Sequence, residues 1–449
     1  MQRRLIVYLA IILVMTLLLT AGCRTIQNRE DSVSDIPFEE EQKVSEKQIL
    51  TVAVCMDYYK MDLIIERFTA LHPDVIVEVD NYKGDEEKYR LQVKTQLLSG
   101  TAADIMDAMI FEEEKLSDNG LLADIYPLMK NDPDFKEKDY FMNVIDAMAY
   151  KGKLIIFPAC WSYNTIGVNN LFSAELIKRF AAYETISYGQ LYDLYNSSEE
   201  TGGRSLCENI DLISAVIENA NSFIDLESKQ CYFNTPEFID FICNAKNCTS
   251  PRKAADGELG LRFGPKLYRA DQEYYAKQYL FADAASTIPF FFFPYLEEEV
   301  FTHYIPITNK QGKILQYCTK RLCINEASKN KGLAWEFIKF LTTPQANENI
   351  YQPSFSVNRE LYKTSISSNI AEFVDDWRKM GLEIAGETAG VVEEVMVKLA
   401  VYNDMPMENT RIVQYDIIVD LLTSFYNDVL TAEQAASELQ NRFSLILME

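Results

Sequence analysis

The chain has 449 residues, 48% of them hydrophobic, and 67 acidic against 43 basic side chains give it a formal charge of -24. That length exceeds one ordinary core and implies two lobes of roughly 150 to 250 residues each. So acidic a surface repels phosphate backbones and anionic headgroups, which excludes nucleic acid and polyanions as partners.

The first segment is basic and then apolar. Arg3 and Arg4 precede the run Leu5 to Leu19, which ends in Ala21-Gly22 and Cys23. The run is near the lower limit for a membrane helix, which is the plain alternative. A positive start, an apolar middle and a small-residue end instead read as a signal peptide over residues 1–22. The small pair directly before cysteine resembles the bacterial lipobox, although Thr20 stands where leucine is usual, so Cys23 is the expected lipidation site. Either reading leaves the rest of the chain outside the cytoplasm, on the extracellular face of the cell membrane. Residues 23–48 carry many charges and almost no apolar positions, and read as a disordered acidic tether. As a flexible coil, a tether of about 25 residues spans on the order of 25 to 30 Å.

From Ile49 the pattern becomes regular. "LTVAVC" reads as a buried strand, and "DLIIERFTALHP" as a helix with Leu63, Ile64, Phe68 and Leu71 on one face, stopped by Pro73. "VIVEV" is a second strand. "DEEKYRLQVKTQLLSG" is a helix with acidic residues at its start and Gly100 just past its end. "ADIMDAMI" is a third strand, followed by a short helix closed by Gly120. Strands alternating with helices predict parallel βαβ units. After "YKGKLIIFP" the chain begins again, mixing helices with turn signals such as Thr201-Gly202-Gly203, and from about residue 369 it is almost entirely amphipathic helix.

Eight cysteines follow Cys23, at 55, 160, 207, 231, 243, 248, 318 and 323. Cys207, Cys231, Cys243 and Cys248 cluster enough for one bridge, but spacing does not name the pair. The Cys-x4-Cys spacings lack nearby histidines and do not suit zinc, so no metal or other cofactor is expected. The only histidines are His72 and His303, which leaves little for a Ser-His-Asp triad, and no catalytic or nucleotide-binding motif occurs.

Seven stretches occur in register. They are "FTALHPDVIVEV", "LLSGTAADIMDA", "GLLADIYPLM", "GKLIIFP" with "NNLF", "SFIDLESKQCYFNTPEF", "GLAWEFIKFLTTPQANENI" and "LTAEQAASELQNRF". In this order they resemble extracellular solute-binding protein family 1, the lipid-anchored receptors of ATP-driven sugar importers. The resemblance implies an α/β, two-lobe type II periplasmic-binding fold with a helical C-terminal portion. It implies lobe I from 49–156 and 301–355, lobe II from 157–300 and 356–449, and hinges near 155–158, 300–305 and 353–357. It also implies a monomer with two kinds of partner, a neutral sugar or oligosaccharide held between the lobes and the permease subunits of an importer.

In open parallel sheets ligands bind beyond the carboxyl ends of the strands. Three stretches are expected there: "MDYYK" with Asp57, Tyr58 and Tyr59; "MDAMIF" with Asp107; and "PACWSYN" with Trp161, Tyr163 and Asn164. Rings beside hydrogen-bonding groups suit a sugar, with Trp161 as a stacking platform. Each ring is equally readable as core, and Asp107 as a helix cap. "IPFFFFPYLEEE" adds Phe292 and Tyr295, which the resemblance places near ligand, although a wholly buried strand is the plainer reading. Trp335, in "AWEFIKFL", is expected to be structural. The chief alternative function is a surface-anchored hydrolase using paired carboxylates, and a purely structural or adhesive lipoprotein is the third.

Overall fold

The structure is a computed structural model, and it describes residues 47–55, 60–108, 113–201, 204–207, 210–249, 280–285, 301–350, 354–379, 394–409 and 415–448. They belong to one compact unit, Lys47–Glu449. The predicted signal peptide, Cys23 and nearly all of the tether lie outside the described residues, as do Asp57, Tyr58, Tyr59, Phe292 and Tyr295.

The described strands in chain order are β1 (Gln48–Val54), β2 (Val75–Asn81), β3 (Ile105–Asp107), β4 (Phe157–Asn169), β5 (Ile186–Ser187), β6 (Ile224–Asp225), β7 (Gln230–Cys231), β8 (Phe281–Ala285), β9 (Phe301–Thr308), β10 (Ile314–Ile324), β11 (Phe355–Ser356) and β12 (Met407–Asn409). β1 pairs in parallel with β2 and β3, as the βαβ pattern predicts. β10 then runs antiparallel to β3, which makes the sheet mixed.

Local chemistry explains the helices between these strands. Helix Met61–Leu71 buries Met61, Ile64 and Phe68, while Leu71 at its end is 49% exposed. Helix Glu86–Ser99 starts where the Asp85 carboxylate accepts from the Lys88 amide (3.1 Å). It ends at Gly100, whose φ of 73° is the left-handed cap that glycine adopts without strain. Helix Lys331–Leu341 buries Trp335 and Ile338, and the Trp335 indole donates to Asp132 Oδ2 (2.8 Å), so Trp335 is structural.

Two hydrophobic clusters form. The first contains Leu50, Phe68, Ile105, Trp161, Trp335 and Phe355. The second contains Ile166, Phe180, Ile213, Phe281, Leu422 and Phe443. β4 passes from one to the other. Its residues Phe157, Ala159, Trp161 and Tyr163 belong to the first cluster, and Ile166 and Val168 to the second. The pairing changes with the packing. The first half of β4 lies between β10 and β11, and the second half between β8 and β9.

Cluster membership switches along β4 between Tyr163 and Ile166 and again between Met407 and Ile418, while β10 gives Ile314 and Leu322 to the first cluster and Leu315 to the second. Tyr362, Ile370, Met396 and Met407, expected in the second lobe, pack in the first cluster. The reason is topological: β12 pairs with β10 and draws the chain back before the last two helices, Tyr415–Tyr426 and Ala432–Met448, join the second cluster.

Candidate functional site

The carboxyl end of β3 buries a carboxyl side chain inside the protein. Asp107, the last residue of β3, is fully buried, and its carbonyl accepts from the Tyr89 hydroxyl (2.6 Å). Glu113 pairs with Arg321 of β10 at 3.4 Å, with both side chains mostly buried. Burial first, and the Asp107 carboxylate second, push the Cys55 thiol up to about 11. Burial likewise raises Cys323, assisted by Glu113 and Asp107. These thiols stay protonated at neutral pH and are poor nucleophiles.

The "PACWSYN" stretch is not a strand-end loop; it lies within β4 and is paired on both edges. Trp161 is fully buried, ringed by Phe141, Tyr163 and Phe355 at centroid distances of 5.8, 5.7 and 5.5 Å. Its indole nitrogen donates to the Ser356 carbonyl (3.4 Å). Tyr163 is also fully buried and donates to the Leu399 carbonyl (3.0 Å). Neither ring presents an open face in this structure. Side chains two apart along a strand share a face, and here that face is core.

Asn164 behaves differently. It is half-buried where β4 leaves the first cluster, and its amide donates to Glu218 Oε1 (3.0 Å). The Tyr188 hydroxyl donates to the other oxygen, Oε2, of the same carboxylate. Burial first, and Glu218 second, raise the Tyr188 hydroxyl well above its ordinary value of 10.0. Nearby, the Asn221 amide donates to the carbonyl of Asn409 in β12 (2.8 Å), and Ser162 bonds the Tyr317 hydroxyl (3.0 Å). These bonds place Asn164 and the oriented Glu218 carboxylate at the passage of β4 from the first cluster to the second.

Of the predicted residues within the described set, Asn164 alone sits half-exposed at this passage. Glu218, Tyr188 and Asn221 were not anticipated. One signal was available: Glu218 ends the helix Leu212–Glu218, where the helix dipole disfavours a carboxylate, and an Asn-rich turn follows. Among the described residues no group of histidine, cysteine, aspartate and glutamate could hold a metal ion, and no helix is long and apolar enough to cross a membrane.

No protein-family model and no curated protein sequence matches the chain. Solved structures do. An extracellular solute-binding protein family 1 member from Alicyclobacillus acidocaldarius superposes with a TM-score of 0.58 at 12% identity, covering 90% of this chain and 99% of that one. This is the solute-binding-protein fold. The sugar-binding protein MalE of Xanthomonas citri has the same relation (TM-score 0.57, 14% identity, 89% of this chain and 98% of that chain). So does an ABC substrate-binding protein of Listeria monocytogenes in complex with cycloalternan (TM-score 0.52, 14% identity, 90% and 99%).

Proposed function

We propose that this chain is the extracellular, lipid-anchored receptor of an ATP-driven importer. It captures a neutral sugar or oligosaccharide at the passage between its two clusters and hands it to a membrane permease. The observation that carries the reading is the half-buried Glu218 carboxylate, fixed by Asn164 of the shared strand β4 and by Tyr188. A carboxylate so oriented keeps acceptor capacity for vicinal hydroxyls, and amides such as Asn221 supply both donors and acceptors. Asp57, Tyr58 and Tyr59, which follow β1 in sequence, contribute from the first lobe, with Phe292 and Tyr295 preceding β9. The structural neighbours favour the same class, one being in complex with cycloalternan and another a sugar-binding protein. Because β4 and β10 are continuous across the passage, the clusters can rotate about them and close on ligand. Only a ligand that binds the closed form better can drive that closure.

The test is thermal unfolding against a panel of mono- and oligosaccharides, with the same samples analysed for cleavage products. A ligand at about 100 times its dissociation constant adds roughly 2.7 kcal/mol and raises the midpoint by a degree or more. Recovery of cut or transformed sugar overturns the receptor reading in favour of a hydrolase, as does a panel without any response.

A further inference from the structure

Two tight turns, one rooted in each cluster, meet at their tips. In the first, Tyr150 and Lys153 exchange both backbone bonds (2.9 and 3.0 Å), and Lys151 and Gly152 between them take φ of 48° and 75°. Two left-handed residues inside a closed pair make the primed turn that short hairpins prefer. Tyr150 behind this tip is buried in the first cluster. The second turn closes the β6–β7 hairpin over residues 226–229. The Asp225 carboxylate shapes it by accepting from the Glu227 and Ser228 amides (3.0 and 3.1 Å). Ile224 and Cys231 behind this tip are buried in the second cluster.

The tips are fastened to each other. The Lys151 amide donates to Glu227 Oε1 (3.2 Å). Leu226 is half-buried, and among the described residues it is the one partly buried hydrophobic side chain packed against both clusters. Charge adds to the contact. Lys151 Nζ donates to both oxygens of Asp118 (2.8 and 3.0 Å), and the Tyr150 hydroxyl donates to the same carboxylate (3.1 Å). Lys151 first, with a smaller contribution from Lys229 of the hairpin, holds Asp118 below the usual carboxylate range. A second tie lies just before the hairpin, where the Asn221 amide donates to the Asn409 carbonyl (2.8 Å) in β12, whose Met407 belongs to the first cluster.

We propose that the tip of the β6–β7 hairpin is a clasp that fixes the angle between the two clusters. The contact lies on neither β4 nor β10, the strands that the clusters share, so rotation of one cluster against the other shears it. A change of angle therefore requires Leu226 to leave the first cluster and Glu227 to leave Lys151. A contact made in one arrangement and lost in another biases the equilibrium between them by its own free energy. The clasp is small, since Glu227 and Lys151 are exposed and one half-buried leucine supplies the apolar part, and a small contact can part without unfolding either cluster. The inference rests on reading the clusters as parts that move, and is independent of what they bind.

The experiment measures the separation of the clusters in the full chain, in detergent and without sugar. Nitroxide labels are placed at Leu98→Cys, exposed on the helix whose Tyr89 and Val93 pack in the first cluster, and at Leu445→Cys, exposed on the last helix of the second. Double electron–electron resonance reads the distance, with the chain lacking both label sites setting the background from native cysteines. One narrow distribution is expected while the clasp is intact. Combining Leu226→Ser with Glu227→Ala is expected to widen or displace it by several Å, whereas Glu227→Gln, whose amide oxygen still accepts from Lys151, keeps it narrow. Glu227→Ala alone, at an exposed side chain, gives a smaller change of the same kind and covers the case in which the double variant fails to fold. Identical distributions in every variant, or a broad one with the clasp intact, overturn the proposal. Sugar binding, titrated separately on the same proteins, decides the receptor reading on its own.

Discussion

The two halves of β4 contrast sharply. From Phe157 to Tyr163 the strand is sealed between β10 and β11, and its rings are packed by Phe141 and Phe355. From Asn164 to Asn169 it lies between β8 and β9, and there it carries a half-exposed amide and a glycine under a tyrosine ring. One continuous strand is thus core of the first cluster up to Tyr163 and core of the second from Ile166, with Asn164 the half-buried residue between them. The difference comes from which strands flank it, not from the residues' own polarity or aromaticity.

The largest effect expected from this contrast is at Trp161. Trp161→Ala removes a fully buried ring and should cost about 3–5 kcal/mol of stability. Denaturant unfolding measures it. A variant with wild-type stability but impaired ligand binding would instead show that the ring is a contact face, and the contrast would fail.

The burial of Trp161 has a physical cause. Trp161 is enclosed partly by Phe355 and Ser356, which arrive nearly two hundred residues later as β11, and no local pattern announces that pairing. Features set within a few residues were legible: the Asp85 and Gly100 caps, the parallel β1–β2–β3 unit and the packed face around Trp335. Glu218 was not legible, because one carboxylate among 67 acidic residues gains meaning only when Asn164 and Tyr188 converge on it. The return of β12 to β10 from a distant part of the chain was likewise announced by no local pattern.

The second half of β4 is tested at Gly167. A Cβ there would approach Tyr304 Cε1 to 2.8 Å. Tyr304 is fixed by a bulge in which His303 adopts a φ of 55° opposite Gly167, so the ring has little freedom to retreat. Gly167→Ala should cost about 1–3 kcal/mol, and combining it with Tyr304→Ala should cost less than the two single losses together. Strict additivity, read from the same unfolding curves, contradicts the close approach.

A smaller effect is expected in alkali. Burial and Glu218 hold the Tyr188 hydroxyl above 10.0, so between about pH 9 and 11 the unfolded chain loses that proton while the folded chain keeps it. The folded state then binds more protons, and stability falls as pH rises through this window. Tyr188→Phe should flatten that fall, leaving the part due to Tyr192, which burial also raises. An unchanged slope would place the Tyr188 hydroxyl in water.

The most direct test of a ligand held at the junction is calorimetric titration of Glu218→Gln with the best sugar from the panel. The amide replaces the charge at nearly the same shape. The account predicts binding weakened at least about tenfold, the loss of a hydrogen bond to a charged group, with the unfolding midpoint nearly unchanged. Wild-type affinity in a folded Glu218→Gln variant would contradict it.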